Sequence, residues 1–321
     1  MMTTSLPRRV PRSRVVDGGF LLPGFVDAHV HLGLVDAAEG PAALRAGGIA
    51  GVDDLGWDPA VATGWLGAPG LPHVRVAGAF LAAPGGYPAD RPWAPPSAVV
   101  PVASPEEAEA AVARQTRCGA SYVKVTLHTG GPLLDDATLA AVVRVARARG
   151  VTVVAHTEGP GQVVRALKAG VDRLAHTPWT ERLPDAVVEE AAVRQVWVST
   201  LDVHGWGAPD ARQEEQRETA LDNLRRFHTA GGAVAYGTDL GNGPLPVGLN
   251  VRELRALCAA GLEVPAVLRA LTSRPVRGLA TFVPGAPFDA STGIDELTER
   301  LADATVVVDP ARTPPPQEDA P

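Results

Sequence analysis

Short apolar runs rich in β-branched residues recur along this chain, and stretches with helical periodicity separate them. In order the runs are GFVDAHVHL (24–32), GIAGVDDLG (48–56), HVRVAGAFL (73–81), ASYVKVTL (120–127), VTVVAHT (151–157), DRLAHT (172–177), QVWVSTL (195–201) and AVAYGTD (233–239). Strict alternation of strand and helix implies parallel strands joined by right-handed crossovers. Eight such units over roughly 250 residues predict an α/β fold, a (β/α)8 TIM barrel. An open doubly wound sheet is the rival, but no glycine-rich phosphate turn follows the first strand. Two helices are sharply signalled. SPEEAEAAVARQTRCG opens with Ser104 as N-cap, Pro105 at the first helical position and Glu107 closing a capping box, and it ends at Gly119; DATLAAVVRVARARG stops at Gly150.

Composition narrows the function classes. A net charge of −7 with scattered basic residues argues against a nucleic-acid partner. Cys118 and Cys258 lie far apart in helical patterns and read as buried free thiols of a reduced compartment. Arginines at 8, 9, 12 and 14 are followed by no signal-peptide core, and no stretch has the length of a membrane span, which predicts a soluble, cytoplasmic protein. The segment ARTPPPQEDAP (311–321) is expected to be disordered. Oligomeric state, a homo-oligomer included, is left open.

The candidate site begins in PGFVDAHVHLG, residues 23–33. In an extended strand alternate side chains share a face, so His29 and His31 project the same way, about 7 Å apart. Such a pair alone is weak. His156, His176 and Asp239 end the fifth, sixth and eighth runs, however, and Lys124 lies inside the fourth. All fall toward the strand C-termini, where barrel enzymes carry their chemistry. His73 precedes a strand and His228 sits in a helix tail, so neither is assigned a role. Imidazoles with one carboxylate suit zinc or a similar divalent ion, which lowers the pKa of bound water to about 7. For Lys124 two readings stand: carboxylation by carbon dioxide into an anionic ligand bridging two metals, or a salt bridge to Asp53 or Asp54. Two long connections also follow strand ends, 84–103 and DVHGWGAPD.

LLPGFVDAHVHLG, YVKVTLHTGG, VVAHTEG, LKAGVDRLAHT, YGTDLG and the helical NVRELRALCAAGLEVPAVLRALTSRPVRGLA together resemble the amidohydrolase superfamily, within it the branch of imidazolonepropionases and zinc-dependent prolidases. The resemblance covers nearly all of residues 20–285. It implies that His29, His31 and Asp239 hold the more buried of two divalent metals, His156 and His176 the outer one, and that N6-carboxylated Lys124 bridges them. Imidazolonepropionases lack that lysine, so YVKV tilts the chain toward the two-metal, prolidase-like arrangement. The chain also departs from the family. Only 28 residues precede the first His-x-His, so the usual β-sandwich is expected as a reduced remnant from 1–22 and 286–321, around a barrel of 23–285. Asp53 stands where relatives carry an arginine, and His128 where they carry a small residue.

The function expected is hydrolysis of an amide, lactam or related C–N bond, metal-bound hydroxide attacking the carbonyl while Asp239 accepts the proton and returns it to the leaving nitrogen. His204 and His128 are candidates for contacting the oxyanion or a substrate carboxylate. Tyr87, Arg91 and Trp93 are expected in a lid. A mononuclear deaminase and a non-catalytic metal-binding barrel are the alternatives.

Overall fold

The computed structural model describes residues 11–35, 40–205, 207–289, 291–309 and 311. Arginines 8 and 9, and all of the 311–321 tail except Ala311, lie outside the described residues. Among the described residues fourteen strands form: β1 (Arg14–Val16), β2 (Gly19–Pro23), β3 (Phe25–Val30), β4 (Ile49–Asp54), β5 (His73–Val76), β6 (Phe80–Ala82), β7 (Val99–Pro101), β8 (Tyr122–His128), β9 (Thr152–Glu158), β10 (Arg173–Leu174), β11 (Val196–Val198), β12 (Ala233–Ala235), β13 (Leu279–Pro284) and β14 (Thr305–Val308).

Parallel ladders join β3 to β4, β4 to β5, β6 to β8, and then β8 through β12 in sequence order. The ring closes where the Ala28 N–H donates to the Tyr236 carbonyl (2.9 Å) and the His31 N–H to the Leu240 carbonyl (2.8 Å). This is the expected (β/α)8 barrel. Its third strand comes in two pieces, β5 and β6, broken at Gly78 with φ +72°. At the break the Gln115 side chain bonds both backbone groups of Ala79, replacing lost ladder contacts.

Period-two alternation sorts the side chains of β8. Val123, Val125 and Leu127 join the core under the helices, together with Leu139, Val142 and Ala146 from the helix Asp136–Ala148. The intervening Tyr122 and Lys124 turn into the barrel. Outside β11 the Trp197 ring stacks on Phe227 with centroids 3.9 Å apart.

The two ends of the described chain form an antiparallel sheet in the order β1-β2-β13-β14. A single sheet stands where a reduced sandwich of 1–22 and 286–321 is expected. β13 lies inside the 23–285 span expected for the barrel, but it pairs with β2 from Ala280 opposite Pro23 to Pro284 opposite Gly19. The helix Ile294–Ala302 follows, burying Leu297 and Leu301.

Three smaller expectations need correction. Ser104 caps its helix by accepting from the Glu107 N–H, but the Glu107 carboxylate reaches back to the Ala103 N–H, one residue before the cap. Cys118 is free but exposed, because it follows the last turn of its helix at the solvent end, and free Cys258 is only half-buried. The connection 84–103 contains the short strand β7, which pairs in parallel with β6. Among the described residues no helix is long and apolar enough to cross a membrane.

Candidate metal centre

The first two ligand candidates come from β3, where the register against β4 shifts between Asp27 and Val30. Irregularities of this kind re-aim side chains beside active sites. His29 and His31 emerge with their Nε2 atoms 3.2 Å apart. Each ring is fixed from behind: His29 Nδ1 lies 2.8 Å from the Ala175 carbonyl and His31 Nδ1 3.0 Å from the Gly56 carbonyl. A carbonyl only accepts, so each Nδ1 carries the proton and each Nε2 of a neutral ring presents a lone pair. Asp239 Oδ1 completes the nest, 3.1 Å from His29 Nε2 and 3.4 Å from His31 Nε2.

Asp239 follows β12 in the left-handed region, φ +62°. The two glycines of YGTDLG explain how the chain comes so close. A Cβ on Gly237 would lie 2.3 Å from Val198 Cγ1 and 3.1 Å from the His29 nitrogen, and one on Gly241 would lie 2.7 Å from the His31 carbonyl oxygen. Buried Asp27 ties the two segments together: its carboxylate accepts from the His29 N–H, the Thr238 N–H and, at 2.6 Å, the Thr238 hydroxyl. Burial pushes the Asp27 carboxyl up to about 7. Asp54 does a similar job on the next strand, accepting from the Leu32 and Gly56 N–H groups.

The chemistry of this nest tests its fit to a cation. Burial holds the His29 imidazole well below its ordinary pKa, so the ring is neutral. Burial also opposes charge on Asp239, but the facing His29, His31 and His176 rings outweigh it and keep the carboxylate ionised. Asp239 Oδ1 is buried and has no hydrogen-bond partner. Two lone pairs and an orphaned carboxylate oxygen, all within 3.4 Å, are a donor set that a divalent cation satisfies.

The other candidates cluster next to it. His176 Nδ1 lies 3.0 Å from the hydroxyl of Thr200, a β-branched residue held at φ +43° after β11. The His176 ring centroid is 4.6 Å from that of His29 and 5.1 Å from that of His156. Lys124 is 2% exposed, and burial pulls its amine down to about 7 although Asp239 and Asp54 pull the other way. Among the described residues no hydrogen bond or ion pair holds it. The salt bridge to Asp53 is displaced by stronger partners: Asp53 accepts from Arg274 Nε (2.8 Å), the Tyr122 hydroxyl (2.7 Å) and Arg173 Nη1 (3.3 Å).

Above these groups opens a cavity of about 290 Å³, walled by Tyr87, Trp93, Trp179, His204 and Glu158. Tyr87 and Trp93, expected in a lid, are among its lining residues. Arg91 is not among its lining residues: it lies over the Tyr87 ring and 3.5 Å from Asp90. His204 reaches the cavity with Nε2 buried and unpartnered, and burial drops its pKa to about 4. The expectation that His128 shares its role is corrected. His128 stacks beneath Tyr87, centroids 4.8 Å apart, and its Nδ1 lies 2.8 Å from Glu158 Oε2. Glu158 also faces His156 Nε2 at 3.1 Å, and His128, His156 and Glu158 form a second group with metal-ligand spacing.

Sequence reasoning missed Glu158 and Trp179. Glu158 was within reach, since it shares the strand face of His156 two residues earlier. Trp179 stands three residues past His176 in a loop, where no periodicity points to it.

The parallel barrel gathers histidines and an aspartate at its C-terminal mouth, the end at which barrel enzymes carry their chemistry. The chain belongs to the amidohydrolase family, whose profile matches residues 74–281. It is 32% identical over 177 residues to proteins recorded as uncharacterized, Rv2915c of Mycobacterium tuberculosis and Mb2939c of Mycobacterium bovis. That match covers 50% of this chain and 46% of either relative, so the chain spans about half the length of the curated relatives it matches. Among solved structures it is similar to a Xaa-Pro dipeptidase with bound methionine, at 19% identity over 88% of this chain and 83% of that one, TM-score 0.70. It is also similar to the ochratoxinase of A. niger (22%, 79% and 70%, TM-score 0.64) and to phenylurea hydrolase B (15%, 97% and 95%, TM-score 0.65). At these identities the structures establish a shared fold.

Proposed function

We propose that the protein hydrolyses an amide, lactam or related C–N bond of a small molecule with divalent metal, zinc by its donor set, bound at the barrel mouth. The observation that carries this reading is the nest of His29, His31 and the orphaned Asp239 Oδ1. These three would hold one ion, and His156 and His176 a second, with Lys124 between them. The buried, weakly basic Lys124 amine supports its role as a bridging ligand: the neutral amine adds to carbon dioxide, forming an N–C bond and releasing one proton, and becomes an anionic carbamate. A bound ion of this kind polarises a carbonyl oxygen and lowers the pKa of a water it holds.

The remaining work falls to the chain's own side chains. Asp239 accepts the proton of the attacking water and passes it to the departing nitrogen, steadied on its far side by Asn242 Nδ2, which donates to Oδ2 at 2.9 Å. His204, unpartnered at Nε2 and facing the cavity, is placed to bond the oxygen that gains charge as the carbonyl is attacked. The aromatic walls exclude water from the reacting groups.

Elemental analysis combined with a hydrolysis screen over N-acyl amino acids, Xaa-Pro dipeptides, lactams and cyclic imides tests this reading. About two ions per chain are expected from the paired ligand sets. A content near one favours a mononuclear deaminase, and none after reconstitution refutes the hydrolase. Asp239→Asn should lower kcat about 10²–10⁴-fold on any substrate found. An Asp239→Asn protein of undiminished activity would show that another base does the work.

A further inference from the structure

The cavity carries charge and aromatic surface that hydrolysis does not by itself require. Glu158, the last residue of β9, lies in its wall with 29% of its side chain exposed. Both imidazoles that contact it, His128 and His156, approach a single oxygen, Oε2. Its other oxygen, Oε1, accepts nothing among the described residues. The indole rings of Trp93 and Trp179 and the ring of Tyr87 line the same space. Carboxylate and aromatic rings around one cavity are the two elements that recognise an ammonium group: the carboxylate supplies a charge-assisted acceptor and the rings a negative π-face.

The balance of charge points the same way. Apart from Lys124 and Asp239 at the metal centre, Glu158 is the charged side chain among the described residues that line the cavity. Among the described residues lining the cavity there is no guanidinium to receive a carboxylate. Arg91 is the nearest candidate by sequence, and it is turned toward Asp90 and stacked over Tyr87.

We propose that this cavity is a subsite for a cationic amine, in which Glu158 Oε1 accepts from an ammonium group flanked by Trp93 and Trp179. The substrate class is then an amide that carries a protonated amine on an apolar body and no carboxylate at that end. Naming this ligand as substrate rests on the hydrolase reading; its binding does not, and the test is therefore one of binding.

Three molecules of matched shape serve as probes: 2-phenylethylammonium, 2-phenylethanol and 2-phenylethanesulfonate. Titration calorimetry on the metal-loaded full chain near pH 7.5, where the amine is protonated, should find the ammonium about tenfold or more tighter than the sulfonate and severalfold tighter than the alcohol. In Glu158→Gln the ammonium and alcohol should bind within about twofold of each other, with the alcohol's affinity unchanged as the check on folding. The proposal is overturned if the sulfonate binds as tightly as the ammonium, if the ammonium does not bind, or if its advantage survives in Glu158→Gln. An enzyme that hydrolyses amides without this selectivity would sink the subsite alone. Selective binding without turnover would sink the hydrolase and leave the subsite.

Discussion

Truncating Asp53 to alanine should be among the most damaging single changes outside the metal centre. Asp53 is 1% exposed and takes three donors, two of them guanidinium groups whose side chains are 6% and 10% exposed. Asp53→Ala removes the counter-charge and leaves Arg274 and Arg173 buried without it. Removing one partner of a buried ion pair costs about 3–5 kcal/mol, because the charge left behind keeps its desolvation penalty. With an unfolding entropy of about 2.1 cal/mol/K per residue, that penalty lowers Tm by about 4–7 °C in a chain of 321 residues. Adding Arg274→Met takes away one stranded charge, so the double variant should be less destabilised than the two single losses combined, with a coupling of about 1–3 kcal/mol. Thermal melts of the four proteins measure this, and metal analysis of the same samples should find the ion content unchanged. A fall in Tm below about 2 °C for Asp53→Ala, or strict additivity in the cycle, would refute the reasoning.

On the proposal that Lys124 is carboxylated between two ions, Lys124→Ala should lose most of the metal at the outer position, and formate or acetate should restore part of both metal content and activity by standing in for the carbamate; unchanged stoichiometry by elemental analysis would return Lys124 to a structural role. His204 gives a pH signature. Its folded pKa, about 4, lies below the ordinary 6.5, so the unfolded chain takes up the proton first as pH falls. The stability linked to this ring is present above pH 6.5 and lost on the way down to about pH 4, at most about 3 kcal/mol for a partly exposed group. In melts across that window His204→Gln should therefore lose less stability than the parent, and parallel curves would contradict the assignment.

The alternation of runs and helices was legible because barrel strands are buried on both faces and leave continuous apolar segments, as in VTVVAHT and ASYVKVTL. Strand ends were less so. The sixth run is extended over only Arg173–Leu174, and the third is cut at Gly78, because hydrogen bonds from Gln115, 36 residues away, decide the ladder there. The ligand candidates could be placed at the barrel mouth since each is a polar residue at the end of an apolar run. Their fine geometry could not. The register shift before His29, the left-handed backbone of Thr200 and Asp239, and the Asp27–Thr238 tie depend on partners up to 211 residues distant. Asp53 shows the limit most directly. The sequence offered Asp53 or Asp54 as the partner of Lys124, but the side chains that claim Asp53 come from positions 122, 173 and 274.

The terminal sheet and the barrel seam bear on how this chain reaches its native state. β3 meets its eighth-strand neighbour only through residues near 236–240, and β2 meets β13 only past residue 279. The hydroxyl of Thr281 accepts from the Phe25 N–H across 256 residues of sequence. A polypeptide emerging from the ribosome can therefore form its βα units early but cannot seal the ring until most of it has been made. Until then the exposed edge of β3 is an unpaired strand rich in apolar groups, the kind of surface that chaperones hold and that promotes aggregation. Synthesis rate and the capture of that edge, more than the strength of any one contact, should set the yield of soluble protein.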